Sequence, residues 1–162
     1  MEFEAELKLS TGDFVDDMIT KSVIGCAIKV HRALGPGLLE SAYQACLAHE
    51  LTRSGLRVDR EVAIPVRYEG LVLECGYRLD LVVERQVIVE VKAVEKVLPI
   101  HEAQLMTYLR LSGLERGLLI NFHVALLKHG ITRRVLTKPD FGRAASPSAA
   151  SSPVSSSTPG TS

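Results

Sequence analysis

The sequence has no surplus of either charge. Lys and Arg total 19, Asp and Glu total 19, and the formal net charge is zero. The chain as a whole therefore lacks the basic footprint of a nucleic-acid binder, although a basic groove can be offset by acids elsewhere. Cysteine is scarce. Cys26, Cys46 and Cys75 are odd in number and far apart, with no CxxC among them. That spacing excludes a zinc cluster and a disulfide framework. The expectation is small buried thiols in a reducing cytosol. No apolar run approaches the roughly 20 residues that span a bilayer. The opening MEFEAELKLS alternates acids with apolar residues and lacks a basic-then-apolar signal pattern. These absences lead to the expectation of a soluble, cytoplasmic protein with no membrane partner.

What is present suffices for one domain with a real core, since the chain has 162 residues. Residues 144–162 are rich in Ser, Pro and Ala and carry no charged side chain. Such a stretch cannot bury enough apolar surface to offset its ordering entropy. The expected division is a flexible segment over 1–13, a folded domain over 14–138 and a disordered tail over 139–162. No internal repeat is visible.

Within the domain, Ile19, Val23, Ala27 and Val30 recur at helical spacing, with Ile24, Ile28 and His31 adjoining. Gly35-Pro36-Gly37 ends that helix. A second is expected from about Leu38 to Ser54, with Tyr43, Leu47 and Leu51 on its apolar face and Gly55 past its end. Strand-like runs follow over 58–68, 71–83 and 86–92, with a turn signal at Glu69-Gly70. Pro99 opens a third helix that stops before Gly113. GLLINF, residues 117–122, reads as a buried strand, and 131–136 as an edge strand. The order is α-α-β-β-β-α-β-β. It predicts an α/β protein with helices packed on a mixed sheet.

The stretch GYRLDLVVERQVIVEVK places three charged residues inside apolar strands. Charges rarely sit there without a partner or a task. By alternation Leu79, Leu81 and Val83 share one face, as do Val87, Val89 and Val91 across the turn. Pairing Val83 with Val87 sets Leu81 against Val89 and Leu79 against Val91. The same register opposes Asp80 to Glu90 on the other face, with Lys92 projecting beside Glu90. A slip by one residue would scramble the apolar pairs. Opposed Cβ atoms lie roughly 5 Å apart. Both carboxylates can therefore share one magnesium ion, whose ligand oxygens sit at about 2.0 to 2.1 Å. The alternative at this point is a salt-bridge patch on a solvated sheet face.

Two helical motifs flank this hairpin. GLLESAY sets Glu40 and Tyr43 one turn apart, and HEAQLMTYL sets His101, Gln104 and Tyr108 on one face. With HRALGPGLLESAY, GYRLDLVVERQVIVEVKAVEK, HEAQLMTYLRLSG and GLLINF, the chain resembles the GxxExxY proteins, whose signature is Gly37, Glu40 and Tyr43 here. These belong to the PD-(D/E)xK nuclease-like superfamily. The resemblance runs from about Ile19 to Leu136.

The resemblance implies a restriction-endonuclease-like core. It matches Asp80 and Glu90 to the metal-binding acids, Lys92 to the following lysine and Glu40 to the helical acid that completes the site. The Val91 carbonyl is a further metal ligand, and Gln104 and Tyr108 match a substrate-contacting Q-x-x-x-Y helix. Leu79 stands where the superfamily pattern has proline. The implied cofactor is Mg2+ or Mn2+ and the implied partner is nucleic acid, DNA rather than RNA. The implied activity is phosphodiester hydrolysis. A catalytically silent binding module on the same fold is the alternative, and a homo-oligomer with an apolar edge at Leu126 and Leu127 is a third reading. Tyr43, His31 and His101 are expected to be structural, and Arg78 and Lys96 solvated.

Overall fold

The computed structural model describes residues 11–137. The tail falls outside that range, and so does the first segment apart from residues 11–13, which open a helix. Helix α1 spans Thr11–Leu34 and α2 spans Glu40–Arg53. Five strands follow: β1 (Val58–Ala63), β2 (Val66–Tyr68), β3 (Leu71–Leu73), β4 (Arg78–Val83) and β5 (Val87–Lys92). Helix α3 (Pro99–Ser112) precedes β6 (Arg116–Asn121), a short 3-10 turn (Leu127–His129) and β7 (Ile131–Val135).

The long strand runs of the sequence divide where the chain turns. β2 and β3 form a separate two-stranded sheet around Glu69-Gly70, where both residues have positive φ (44° and 80°). The main sheet has the order β1-β4-β5-β6-β7. Only β5 and β6 run parallel, and α3 crosses over between them. A parallel pair needs such a crossover.

Each face of the sheet carries its own core. Ile19, Val23, Ala27 and Val30 of α1 and Tyr43, Leu47 and Leu51 of α2 pack on Leu81, Val83, Val89, Val91 and Ile120. Leu105, Tyr108 and Leu109 of α3 pack on Val82, Ile88 and Leu119 from the other side. Strand alternation accounts for most of this division. Leu79 departs from it, packing with the α3 layer while Leu81 and Val83 face α1 and α2.

The helix ends set the loops. Pro99 starts α3 and Gly113 ends it at φ 75°, donating its N–H to the Leu109 carbonyl at 3.1 Å. His101 Nδ1 accepts the Leu98 N–H at 3.0 Å, so this histidine caps the helix, as expected. After α1, the Tyr43 hydroxyl donates to the Gly35 carbonyl and accepts the Leu38 N–H at 3.1 Å. The Tyr43 ring stacks on Phe122, centroids 4.5 Å apart. Tyr43 is thus a core residue that fixes the Gly-Pro-Gly loop.

Two side chains named above differ from expectation. Cys26 is buried, but Cys75 is exposed, because it lies in the irregular loop between β3 and β4. Leu127 is only 4% exposed and belongs to the core, leaving Leu126 alone outside. All three cysteines are free thiols.

Gly117 of β6 faces α3. A Cβ there would stand 2.7 Å from Leu105 Cδ1, so fully buried Leu105 would have to shift within the core. Gly117→Val is expected to destabilise the fold by about 1 to 3 kcal/mol through overpacking. Urea unfolding of the variant against the natural chain measures this.

Candidate active site

The acids meet where the central sheet divides. β4 and β5 pair from Val83–Val87 through Val82–Ile88 to Leu81–Val89, the register that apolar pairing predicts. Past Leu81 their ladder stops. β4 stays paired with β1 through Leu79–Val62 and Arg78–Ala63, while β5 stays paired with β6 through Lys92–Asn121. Each strand keeps its outer partner and the inner seam opens into a fork.

Within the fork, carboxylates replace ladder carbonyls. Glu90 Oε1 accepts the Asp80 N–H at 3.1 Å, and Asp80 Oδ2 accepts the Val91 N–H at 2.8 Å. Buried amides need acceptors, and these two acids supply them. Asp80 and Glu90 are therefore brought together, but by reciprocal side-chain bonds rather than as an opposed ladder pair. The expected Leu79–Val91 contact is replaced as well, since those side chains lie in opposite cores.

Asp80 also faces an acid on β1. Between the Arg60–Leu81 and Val62–Leu79 pairs, Glu61 is skipped and takes a left-handed φ of 51°. Buried Gln44 of α2 donates from Nε2 to Glu61 Oε1 at 2.8 Å and to the Asp80 carbonyl at 3.1 Å. One amide thus ties α2, β1 and β4 together behind the acid pair.

Glu40, the first residue of α2, accepts the Ala93 N–H through Oε2 at 2.9 Å. This joins α2 to the end of β5 just past Lys92. The Lys92 carbonyl accepts the Phe122 N–H at 2.8 Å. The side chain of Asn121, itself buried, bonds the backbone of Val94 on both sides, accepting its N–H at 3.1 Å and donating to its carbonyl at 2.9 Å. Three successive residues of backbone around Lys92 are therefore fixed.

The charges are placed at a disadvantage. Glu90 is 4% exposed. Burial, then the charge of Asp80, pushes its carboxyl from 4.5 up to about 8. Asp80 is raised too, chiefly by burial and further by the charges of Glu61 and Glu40. Its bond to the Val91 amide and the Lys92 charge oppose the rise. Half-buried Lys92 thus lies within electrostatic reach of both acids.

Among the described residues, no three His, Cys, Asp or Glu side chains gather tightly enough to form a metal cluster. Glu40 is occupied by the Ala93 amide. The donor set around the fork is nonetheless hard oxygen. A buried and a half-buried carboxylate, both held above their ordinary range and with Glu40 and Glu61 nearby, favour an arriving divalent cation. Oxygen donors suit Mg2+ or Mn2+. On that ground the residues fit the implied ion.

Gln104 and Tyr108 reach the same region from α3. Gln104 Nε2 donates to the Tyr108 hydroxyl at 2.9 Å. The Tyr108 phenol is pushed above its usual range by burial and then by the charges of Glu90 and Asp80. His31 is buried, its Nε2 bonded to the Val124 carbonyl at 2.8 Å, and is a packed histidine. Arg78 and Lys96 are exposed.

Sequence reading missed Gln44, Glu61 and Asn121. Gln44 had a signal, because it follows Glu40 by one helical turn. Asn121 had another, as a polar residue inside the apolar GLLINF run. Glu61 had none.

A family model described as PD-(D/E)XK nuclease superfamily matches residues 17–135. No curated protein and no solved structure matches the chain. Among the described residues no helix is long and apolar enough to cross a membrane.

The acid pair sets the pH dependence of stability. The folded state binds the Glu90 proton more tightly than the unfolded chain, at about 8 against 4.5. Its contribution is whole below the unfolded value and is lost as pH rises through the folded one. Metal-free protein is thus expected to lose stability steadily between about pH 5 and pH 9. Glu90→Gln should flatten that slope and add on the order of 2 to 4 kcal/mol at pH 9. Thermal unfolding in chelator across this range checks it; equal slopes for both proteins contradict it.

Proposed function

We propose, on the premise that the chain belongs to the PD-(D/E)XK nuclease superfamily, that it hydrolyses phosphodiester bonds of nucleic acid with Mg2+ or Mn2+. Within that superfamily, the reading places it in the GxxExxY branch, which the spacing of Gly37, Glu40 and Tyr43 supports. The reading takes DNA rather than RNA as substrate and the cytoplasm as the place of action. The observation that carries it is the reciprocal bonding of Asp80 and Glu90 in the sheet fork, with Lys92 two residues beyond.

In this reading Asp80, Glu90 and the Val91 carbonyl would hold the cation, with Glu40 reaching it directly or through water. When bound, the cation supplies a nucleophilic water at neutral pH and polarises the scissile phosphate. Lys92 orients that water or neutralises charge developing on a phosphoryl oxygen. Phe122, Glu40 and Asn121 clamp the backbone at Lys92, Ala93 and Val94, which fixes the point from which the Lys92 side chain leaves the strand. Gln104 and Tyr108 contact the substrate from the α3 side.

A silent binding module is the second reading. It is favoured by the zero net charge and by the engagement of Glu40 with Ala93. Metal dependence separates the two, since binding that survives Glu90→Ala and needs no metal belongs to the module.

With manganese, the purified protein is expected to cut at least one single- or double-stranded form of DNA or RNA. Asp80→Ala should abolish both cleavage and the calorimetric heat of manganese binding. Lys92→Met should keep that heat while slowing cleavage by roughly 100- to 1,000-fold, the usual loss of one transition-state charge partner. Absence of any cleavage together with absence of Asp80-dependent metal heat would sink the reading.

A further inference from the structure

An apolar groove lies beside Gln104 and Tyr108, and the hydrolytic reading gives its other wall no task. Its volume is about 390 Å³, within the range of small-ligand sites. Tyr77 and Val66 form one wall; Ile100, Gln104, Tyr108 and Leu111 of α3 form the other. The Tyr77 and Tyr108 rings meet edge to face with centroids 6.5 Å apart. Tyr77 is 46% exposed and Ile100 is 67% exposed, so large apolar surface stands open to solvent here.

Two features tie the groove to the acids. Tyr108 lines it and also lies within electrostatic reach of Glu90 and Asp80. Tyr77 precedes Asp80 by three residues on the chain that becomes β4, roughly 10 Å along an extended strand. That span suits the distance from a phosphate at the fork to the base of a neighbouring nucleotide. The Tyr77 carbonyl accepts the Ile64 N–H at 2.9 Å, so the aromatic wall has a fixed backbone.

Charge argues for what fills it. No Lys, Arg, Asp or Glu lines the groove, so it suits an uncharged part of the substrate rather than a phosphate. Every base carries a face that stacks on an aromatic ring. In an intact duplex those faces are covered by neighbouring bases. We propose that the groove between Tyr77 and α3 receives an unstacked base, so that the substrate is single-stranded nucleic acid, or a duplex with a base turned out, rather than regular duplex. This rests on the nucleic-acid reading of the fork. Tyr77 supplies the stacking ring, Ile100 the opposing apolar wall, and the Gln104 amide a polar group for the base edge.

The test is binding of a short single-stranded DNA carrying one 2-aminopurine, with the full chain in calcium. Stacking quenches this base, so the readout is independent of cleavage. The natural protein is expected to quench it on titration, and an unlabelled, fully paired duplex to compete for it at least 10-fold more weakly than the unlabelled single strand. Tyr77→Phe should retain quenching, while Tyr77→Ala should weaken binding by roughly 5- to 100-fold, the range for one aromatic–base stack. Ile100→Glu, at an exposed position, should weaken binding comparably, and circular dichroism should show both variants folded. Absence of quenching by the natural protein, equal quenching by Tyr77→Ala, or equal competition by the duplex overturns the proposal. Manganese-dependent cleavage without quenching defeats the groove alone, whereas quenching without cleavage defeats the hydrolytic reading alone.

Discussion

Two buried amides at the fork of the sheet must have acceptors, and carboxylates fill that need. β4 and β5 separate after Leu81 and Val89, yet each stays in the sheet through its outer partner. The Asp80 and Val91 N–H groups would otherwise face an empty seam. The side chains of Glu90 and Asp80 close it reciprocally. A neutral acceptor could satisfy the amides with less electrostatic strain. The chain instead sets a half-buried acid beside a buried one. Burial raises both pKa values, the charge of Asp80 raises Glu90 further, and the charges of Glu61 and Glu40 raise Asp80 further. That choice makes the fork a place for a cation as well as a structural junction.

The surrounding architecture holds this junction from behind. One turn of α2 sends Glu40 to the end of β5, Tyr43 to the Gly35 carbonyl and Gln44 to both Glu61 and Asp80. Successive helical positions thus fasten a loop, two strands and the strand end that bears Lys92. Asn121 performs the matching task on β6 by bonding Val94. Its position is fixed because the parallel register sets Lys92 beside Asn121. The helix and the crossover strand therefore locate the lysine together, without help from a mobile loop.

Most of the layering was legible in the residues. Helical spacing in α1 and α2, Pro99 and Gly113 around α3, and the valine-rich hairpin all express local rules that tertiary packing did not overturn. The Val83–Val87 register followed from pairing apolar residues. The fork was not legible, because period-two alternation assumes a continuous ladder. It has no means of announcing that Leu79 changes sides. Glu61 was hidden for a related reason. Its left-handed backbone belongs to the distortion opposite Asp80, and an acid in a half-exposed strand resembles any solvated residue. The division of the 58–68 and 71–83 runs depended on where the chain leaves the main sheet, which is a tertiary decision.

The acidity of the fork bears on how substrate and cation arrive under the hydrolytic reading. Asp80, Glu40 and Glu61 gather acids around Glu90, whose own ionisation this crowding and burial oppose, and Lys92 acts on both central acids. A phosphate approaching the bare site meets repulsion in a partly dehydrated setting, where charges interact more strongly than in water. A divalent ion reverses the sign of that interaction. Cation and nucleic acid must then favour one another, and by linkage each raises the affinity for the other by the same factor. An apolar, aromatic groove beside such a site has a clear physical use. It can hold a base by stacking, which needs no favourable field, while the phosphate depends on the ion. A protein with no net charge can in this way confine its electrostatic attraction to the moment when the cation is in place.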